Sequence, residues 1–109
     1  MIFDLPKTEK ALRYNTGKPK WHLVHMKSLE PMIRVLEAGA EKYAPFNWQL
    51  PMSRADILDS MQRHLGALID GEFIDPDLKL HHIGNLMCNA MFYSYHFHDL
   101  EFKNDILKG

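Results

Sequence analysis

An uncharged segment, LHHIGNLMCNAMFYSYHFH, occupies residues 80–98 of the 109-residue chain. It contains no Asp, Glu, Lys or Arg, and on a helical projection its apolar residues cover more than one face. A helix that is apolar on several faces is typically buried on several sides. The segment therefore predicts a central or interface helix, from about residue 78 to residue 98, on which shorter helices pack.

Two amphipathic helices are predicted upstream of this segment. The first covers residues 29–43, where apolar residues recur at i, i+3, i+4 and i+7 and Ser28 and Pro31 occupy N-terminal positions. The second begins after Ser53, the predicted N-cap, and ends near Asp70, before a cap-forming Gly71. No stretch alternates as a β-strand does, so the fold class is predicted to be all-α, a small bundle of three main helices.

The length of the chain corresponds to one domain. Residues 1–27 contain prolines and a turn signal and are predicted to be irregular, residues 28–98 to form the helical core, and residues 99–109 to form a tail. The central helix has more apolar surface than two short helices can cover. We therefore expect the fold to be completed by association into a homo-oligomer.

Composition excludes several classes of protein. The net charge is −1, with 13 basic and 14 acidic residues, so the composition provides no excess of basic residues for binding duplex nucleic acid. Histidines and asparagines within the uncharged segment argue against a membrane helix, and the N-terminus lacks the apolar run of a signal peptide, so a cytoplasmic protein is expected. The single cysteine, Cys88, is predicted to be a buried apolar residue.

Polar residues occupy core-facing positions of the predicted helices. His82, Asn85, Asn89 and His96 lie in one stripe of the third helix, and His64 lies on the apolar face of the second. An imidazole or amide buried without a partner costs roughly 1–3 kcal/mol, so these residues need hydrogen-bond partners or a wet cavity. Two interpretations stay open, of which pattern alone favours the first: a hydrogen-bonded seam between helices or subunits, or a ligand pocket.

Four carboxylates form two pairs in the sequence. Glu37 and Glu41 are an i, i+4 pair on one helix, and Glu72 and Asp75 are three residues apart in a short acidic connector. A hard divalent cation such as Mg²⁺ prefers oxygen ligands of this kind. Each pair alone is more often a solvated acidic surface.

A basic loop precedes the first helix. Lys18, Lys20 and Trp21 follow the turn signal Asn15-Thr16-Gly17. Two lysines beside an aromatic ring suit a phosphate and a stacked base. The loop lacks the glycine, strand and helix context of a P-loop, and a solvated basic loop is the simpler interpretation.

Taken in order, these features resemble a phage and bacterial family, the dATP/dGTP diphosphohydrolase N-terminal domain. The resemblance covers about residues 13–97. It is carried by Thr16-Gly17-Lys18-Pro19-Lys20-Trp21, Glu37-Ala38-Gly39-Ala40-Glu41-Lys42-Tyr43, Asn47-Trp48, Arg63-His64, Gly71-Glu72, Asp75-Pro76, His82 and Asn89-Ala90.

The resemblance implies an all-α, MazG-like nucleotide pyrophosphohydrolase that uses Mg²⁺, or Mn²⁺ or another divalent metal, to split dATP or dGTP into monophosphate and pyrophosphate. The implied metal ligands are Glu37, Glu41, Glu72 and Asp75, and the implied catalytic residues are Glu37, Glu41, His64 and His82. The implied binding residues for the deoxynucleoside triphosphate are Lys18, Lys20, Trp21, Lys42, Asn47, Trp48, Arg63, Asn85 and Asn89. A transition metal held by His64 and His82 also stays open. The alternative function is a non-catalytic nucleotide-binding or assembly module with a structural polar seam.

Overall fold

The computed structural model describes residues 10–108, with side chains through residue 105. Its helices are α1 (Glu30–Lys42), α2 (Arg54–Ile69) and α3 (His82–Lys108), with short 3₁₀ turns at Trp21–Leu23, Met26–Leu29 and Asn47–Gln49. Helix α3 packs against both α1 and α2. The predicted all-α fold around a central third helix is therefore confirmed.

The ends of α1 and α2 follow from local side-chain chemistry. Pro31 lies in the first turn of α1, as predicted, but the N-cap is Leu29 rather than Ser28, whose hydroxyl lies 2.6 Å from His25 Nδ1. At the start of α2, Ser53 Oγ accepts a hydrogen bond from the backbone of Asp56, which confirms the predicted N-cap.

Helix α2 ends in a Schellman motif, which confirms the predicted role of Gly71. Gly71 has a φ of +83°, in the left-handed region that favours glycine. Its N–H donates to Leu68 O at 3.1 Å, and the N–H of Glu72 donates to Ala67 O at 2.9 Å. The motif turns the chain sharply and fixes the direction in which Glu72 leaves the helix.

Helix α3 crosses α1 at Gly84. A Cβ atom at Gly84 would lie 2.7 Å from the Pro31 carbonyl carbon, overlap the Pro31 oxygen and lie 3.0 Å from Val35 Cγ2. The lack of a side chain at this position lets the two backbones approach each other.

The boundaries of α3 differ from the prediction at both ends. The helix begins at His82 rather than at Leu78, because the preceding residues form a hydrogen-bonded loop: the N–H of His82 donates to Phe73 O, and Lys79 has a left-handed φ of 61°. The helix then continues to Lys108, so the predicted tail is helical through that residue. The part of the predicted irregular segment that covers residues 1–9 lies outside the described residues.

Few side chains are buried within residues 10–105. The buried apolar residues there are Ile57 and Cys88. The Cys88 thiol donates to Met32 O at 3.3 Å, and burial raises the pKa of Cys88 to about 12, which confirms the prediction for this residue. Four side chains on the predicted apolar faces are instead exposed, namely Ile33, Tyr43, Leu65 and Ile69. No helix in the described part of the chain has both the length and the hydropathy needed to cross a bilayer.

Candidate functional site

Two histidines from different helices meet where α2 faces the beginning of α3. His64 lies in the second half of α2, and His82 is the first residue of α3. Their Nδ1 atoms are 2.8 Å apart. The sequence predicted that both rings point inward, and the structure brings them into direct contact.

Asp75 completes a group of three around this contact. One ligand atom from each of His64, Asp75 and His82 lies within 4.8 Å of the other two. The backbone N–H of Asp75 donates to Leu80 O, and one carboxylate oxygen, Oδ1, accepts from the backbone of Asp77 at 2.8 Å. In the described part of the chain, no other three histidine, cysteine, aspartate or glutamate side chains come this close together.

Glu72 borders the group from the other side of the His82 ring. Its Oε2 lies 3.3 Å from His82 Nε2, which is within ion-pair range but does not have hydrogen-bond geometry. His82 is only 5% exposed, so its Nε2 is a buried polar atom without a hydrogen-bond partner. The 2.8 Å contact between the two Nδ1 atoms needs a proton on one of them and a lone pair on the other, and its direction depends on the tautomers of the two rings.

The surroundings of His64 favour its neutral form. Burial lowers the pKa of His64, and His82 and Arg63 lower it further, while Asp75 opposes the shift. A neutral imidazole retains a lone pair. It can therefore accept a proton or coordinate a cation.

The polar stripe of α3 divides into two parts. Asn89 donates to Ser60 Oγ at 3.1 Å and to Asn85 O at 2.8 Å, and His96 Nε2 donates to Trp48 O at 2.8 Å. These contacts form the hydrogen-bonded seam that the pattern alone favoured. Near His82 the situation differs, because the side-chain nitrogen of Asn85, itself 7% exposed, is buried without a partner.

The structure does not gather the four predicted metal-binding carboxylates. Glu37 lies on the exposed side of α1 and pairs with Arg34 at 3.3 Å, and Glu41 is exposed on the same helix. No three of the four have oxygen atoms within 4.8 Å of one another. Glu72 and Asp75, in contrast, both lie close to His82.

The basic loop lines a pocket of its own, with a volume of about 730 Å³. The lining residues all belong to the loop and are Asn15, Lys18, Pro19, Lys20, Trp21, His22 and Leu23. The predicted turn is present, since Lys18 N–H donates to Asn15 O and Gly17 has a φ of +80°. The Trp21 side chain is 78% exposed and available for stacking.

The remaining predicted binding residues are dispersed. Trp48 packs against α3, with its ring centroid 5.3 Å from that of Phe92 and 5.0 Å from that of Tyr95. Lys42 Nζ lies 5.2 Å from the centre of the neighbouring Tyr43 ring. Asn47 and Arg63 are exposed.

The sequence analysis singled out the residues of the histidine–carboxylate group but did not predict that they lie together. It assigned Glu72 and Asp75 to a carboxylate site, and left His64 and His82 open between a polar seam, a ligand pocket and a transition-metal site. The available signal was the short acidic connector between the two histidine-bearing helices, because a short connector returns α3 beside α2. The direction of that return depends on the loop hydrogen bonds.

These features define a small all-α protein with a histidine–carboxylate site between two helices. The model of the family described as "dATP/dGTP diphosphohydrolase, N-terminal" matches residues 8–105, and the chain belongs to that family.

A named relative comes from a phage. The dATP/dGTP diphosphohydrolase of Salmonella phage PMBT28 is 32% identical over 83 residues, which cover 75% of this chain. The same residues cover 28% of the relative, so the chain spans little more than a quarter of that protein. No solved structure matches the chain at a significant level.

Proposed function

We propose that this protein hydrolyses the deoxypurine triphosphates dATP and dGTP to monophosphate and pyrophosphate with a divalent metal ion. The observation that carries the proposal is the group His64, Asp75 and His82, bordered by Glu72, in a chain of this family. The name of the phage relative supplies the substrate class.

The proposed reaction is an in-line displacement at the α-phosphorus. A bond forms from a water oxygen to that phosphorus, and the bond to the oxygen that bridges to the β-phosphate breaks, releasing pyrophosphate. Lys18 and Lys20 would neutralise phosphate charge, and the exposed Trp21 would stack on the base. His64 and His82 are the proposed catalytic histidines.

Mg²⁺ remains the proposed activating cation, and the fit of this chain to it is partial. Glu72 and Asp75 offer the oxygen ligands that Mg²⁺ prefers, whereas Glu37 and Glu41 are not gathered with them. Bound to the triphosphate, such a cation would neutralise the charge that develops on its oxygens.

The test is pyrophosphate release from dATP and dGTP by purified protein, in Mg²⁺, Mn²⁺ or EDTA. We expect metal-dependent release, and Asp75→Asn should reduce it by about 100-fold or more, since a ligand or orienting carboxylate is lost. Asp99→Asn is the matched control because its side chain is 94% exposed, and its rate should equal that of the wild type. Equal rates for Asp75→Asn and the wild type would contradict the proposed site.

A second candidate is a non-catalytic nucleotide-binding or assembly module. It is favoured by the part of the polar stripe in which Asn89 and His96 have structural partners. This function predicts that calorimetry detects dATP binding while no pyrophosphate or phosphate is released with any metal. Metal-dependent turnover would exclude it.

A further inference from the structure

We propose that His64, Asp75 and His82 bind one first-row divalent transition-metal ion, for which Zn²⁺ is the best fit. The three side chains lie on α2, on the connecting loop and at the first residue of α3. A bound ion would therefore link the three elements.

The two histidine nitrogens are spaced close to the separation found in a tetrahedral site. Two nitrogens bound to Zn²⁺ at about 2.0–2.1 Å are separated by about 3.3 Å. The Nδ1 atoms of His64 and His82 are 2.8 Å apart, and one ligand atom of Asp75 lies within 4.8 Å of each histidine. The rings would have to separate by about half an ångström. His64 and Asp75 are only half-buried, so their side chains are less constrained than that of His82.

The carboxylate beside His82 is a second observation that fits a metal-bound histidine. His82 is 5% exposed, and its Nε2 has no hydrogen-bond partner although Glu72 Oε2 lies 3.3 Å away. Metal-binding histidines commonly coordinate through one ring nitrogen and present the other N–H to a carboxylate. With Nδ1 of His82 on the metal and Nε2–H turned to Glu72, both ring nitrogens would be satisfied.

The donor set favours a transition metal over Mg²⁺. Two imidazole nitrogens and one carboxylate suit zinc, cobalt, iron or manganese, whereas Mg²⁺ prefers an octahedron of oxygens. Three protein ligands also leave a tetrahedral ion with a fourth position for water.

The site deepens the proposed function, because the ion would lie among the proposed catalytic residues and could activate the attacking water there. Its catalytic role rests on that function. The existence of the metal site does not rest on the proposed function, since metal binding is measured without nucleotide.

The test is titration of tag-free, EDTA-treated and dialysed protein with Zn²⁺ by isothermal calorimetry. A parallel titration with Co²⁺ follows visible d–d absorption, which reports coordination geometry. We expect one Zn²⁺ per chain, an increased Tm on binding, and Co²⁺ absorption of a low-coordinate site.

Variants locate the ligands. His64→Gln should weaken Zn²⁺ affinity by more than about 100-fold, and Glu72→Gln by about 10- to 100-fold through the orientation of His82. His98→Gln is the matched control, because it removes a histidine whose side chain is 63% exposed, and its affinity should equal that of the wild type. Circular dichroism checks that each variant is folded.

Absence of stoichiometric Zn²⁺ binding would overturn the inference, as would equal affinities for His64→Gln and the wild type. His64 and Glu72 are chosen because neither is fully buried, so the test does not depend on the folding of a His82 variant. Zn²⁺ binding without nucleotide turnover would support the metal site and contradict the proposed function. Mg²⁺-dependent turnover without Zn²⁺ binding would support the proposed function and contradict the metal site.

Discussion

Cys88 illustrates how burial determines the chemistry of a single residue. Its side chain is 1% exposed, its thiol faces Met32 O, and burial raises its pKa to about 12. The thiol therefore stays neutral in the folded protein at pH 8, and a neutral buried thiol is a poor nucleophile.

We predict that Cys88 reacts with a disulfide reagent at pH 8 at least about 100-fold more slowly in the folded protein than in guanidinium, because the thiolate is the reacting form. The raised pKa also has a consequence for stability. The unfolded thiol ionises near pH 8.5, whereas the folded thiol stays neutral until the pH approaches about 12. Because ionisation favours the unfolded state over this range, the free energy of unfolding is unaffected by Cys88 below about pH 8.5 and declines as the pH rises toward 12. Rapid labelling of the native protein at pH 8 would contradict this account.

Gly84 is a second position where one residue has a large effect. A Cβ atom there would meet the backbone of Pro31, which cannot move as a flexible side chain does. We predict that Gly84→Ala lowers the free energy of unfolding by about 1–3 kcal/mol, measured by denaturant titration.

Gly66→Ala is the matched control for Gly84→Ala. Gly66 lies within α2, and a Cβ atom there would meet nothing within 4 Å. Alanine should therefore raise the free energy of unfolding by up to about 1 kcal/mol through its helix propensity. Effects of the same sign in the two variants would argue against the close approach of α1 and α3.

At the scale of elements, the end of α2 positions the carboxylates of the site. The Schellman motif directs Glu72 out of the helix, and the loop that follows places Asp75 by its hydrogen bonds to Leu80 and Lys79. The loop then delivers His82 to the start of α3 beside His64. The cap and the loop thus position three side chains, those of Glu72, Asp75 and His82, from a few backbone contacts.

We predict that Gly71→Ala lowers the free energy of unfolding by about 1 kcal/mol or more, because alanine is strained at a φ of +83°. The same substitution should weaken Zn²⁺ binding, since it disturbs the exit of Glu72. Gly39→Ala is the control: Gly39 is within α1, and its Cβ would meet nothing within 4 Å. A loss of stability without any change in Zn²⁺ affinity would show that the cap does not orient the site.

At the scale of the molecule, the chain is far from compact. Its radius of gyration is 19.8 Å, against about 13 Å for a compact chain of this length. Several large apolar side chains are more than 70% exposed, including Trp21, Leu23, Met26 and Ile69. Surface of this kind is typical of chains that associate.

We predict that the protein forms a homo-oligomer, because association would cover the exposed apolar side chains. Light scattering after size-exclusion chromatography should give a mass at least twice the 12.8 kDa of one chain at micromolar concentration. A dilution series should show dissociation only at lower concentration. A mass of one chain throughout the series would refute the prediction.

The amino-acid sequence was sufficient for features that depend on local interactions. The periodicity of the first two helices, the Ser53 cap, the Gly71 turn and the burial of Cys88 follow from contacts between near neighbours or from hydropathy. The free energies of the cap and the turn are local and are expressed largely irrespective of how the helices are arranged, whereas the burial of Cys88, predicted from hydropathy, is completed by α1 at Met32.

Tertiary structure was needed wherever distant residues meet. Periodicity indicates which face of a helix is apolar, but not which residue of another helix lies opposite. The contact between His64 and His82, the inclusion of Asp75, and the separation of Glu37 and Glu41 from Glu72 depend on the path of residues 70–81. That path rests on a left-handed Lys79 and on the hydrogen bonds from Asp75 to Leu80 and from His82 to Phe73. These hydrogen bonds form only when the ends of the loop are brought together, so no local pattern in the sequence specifies them.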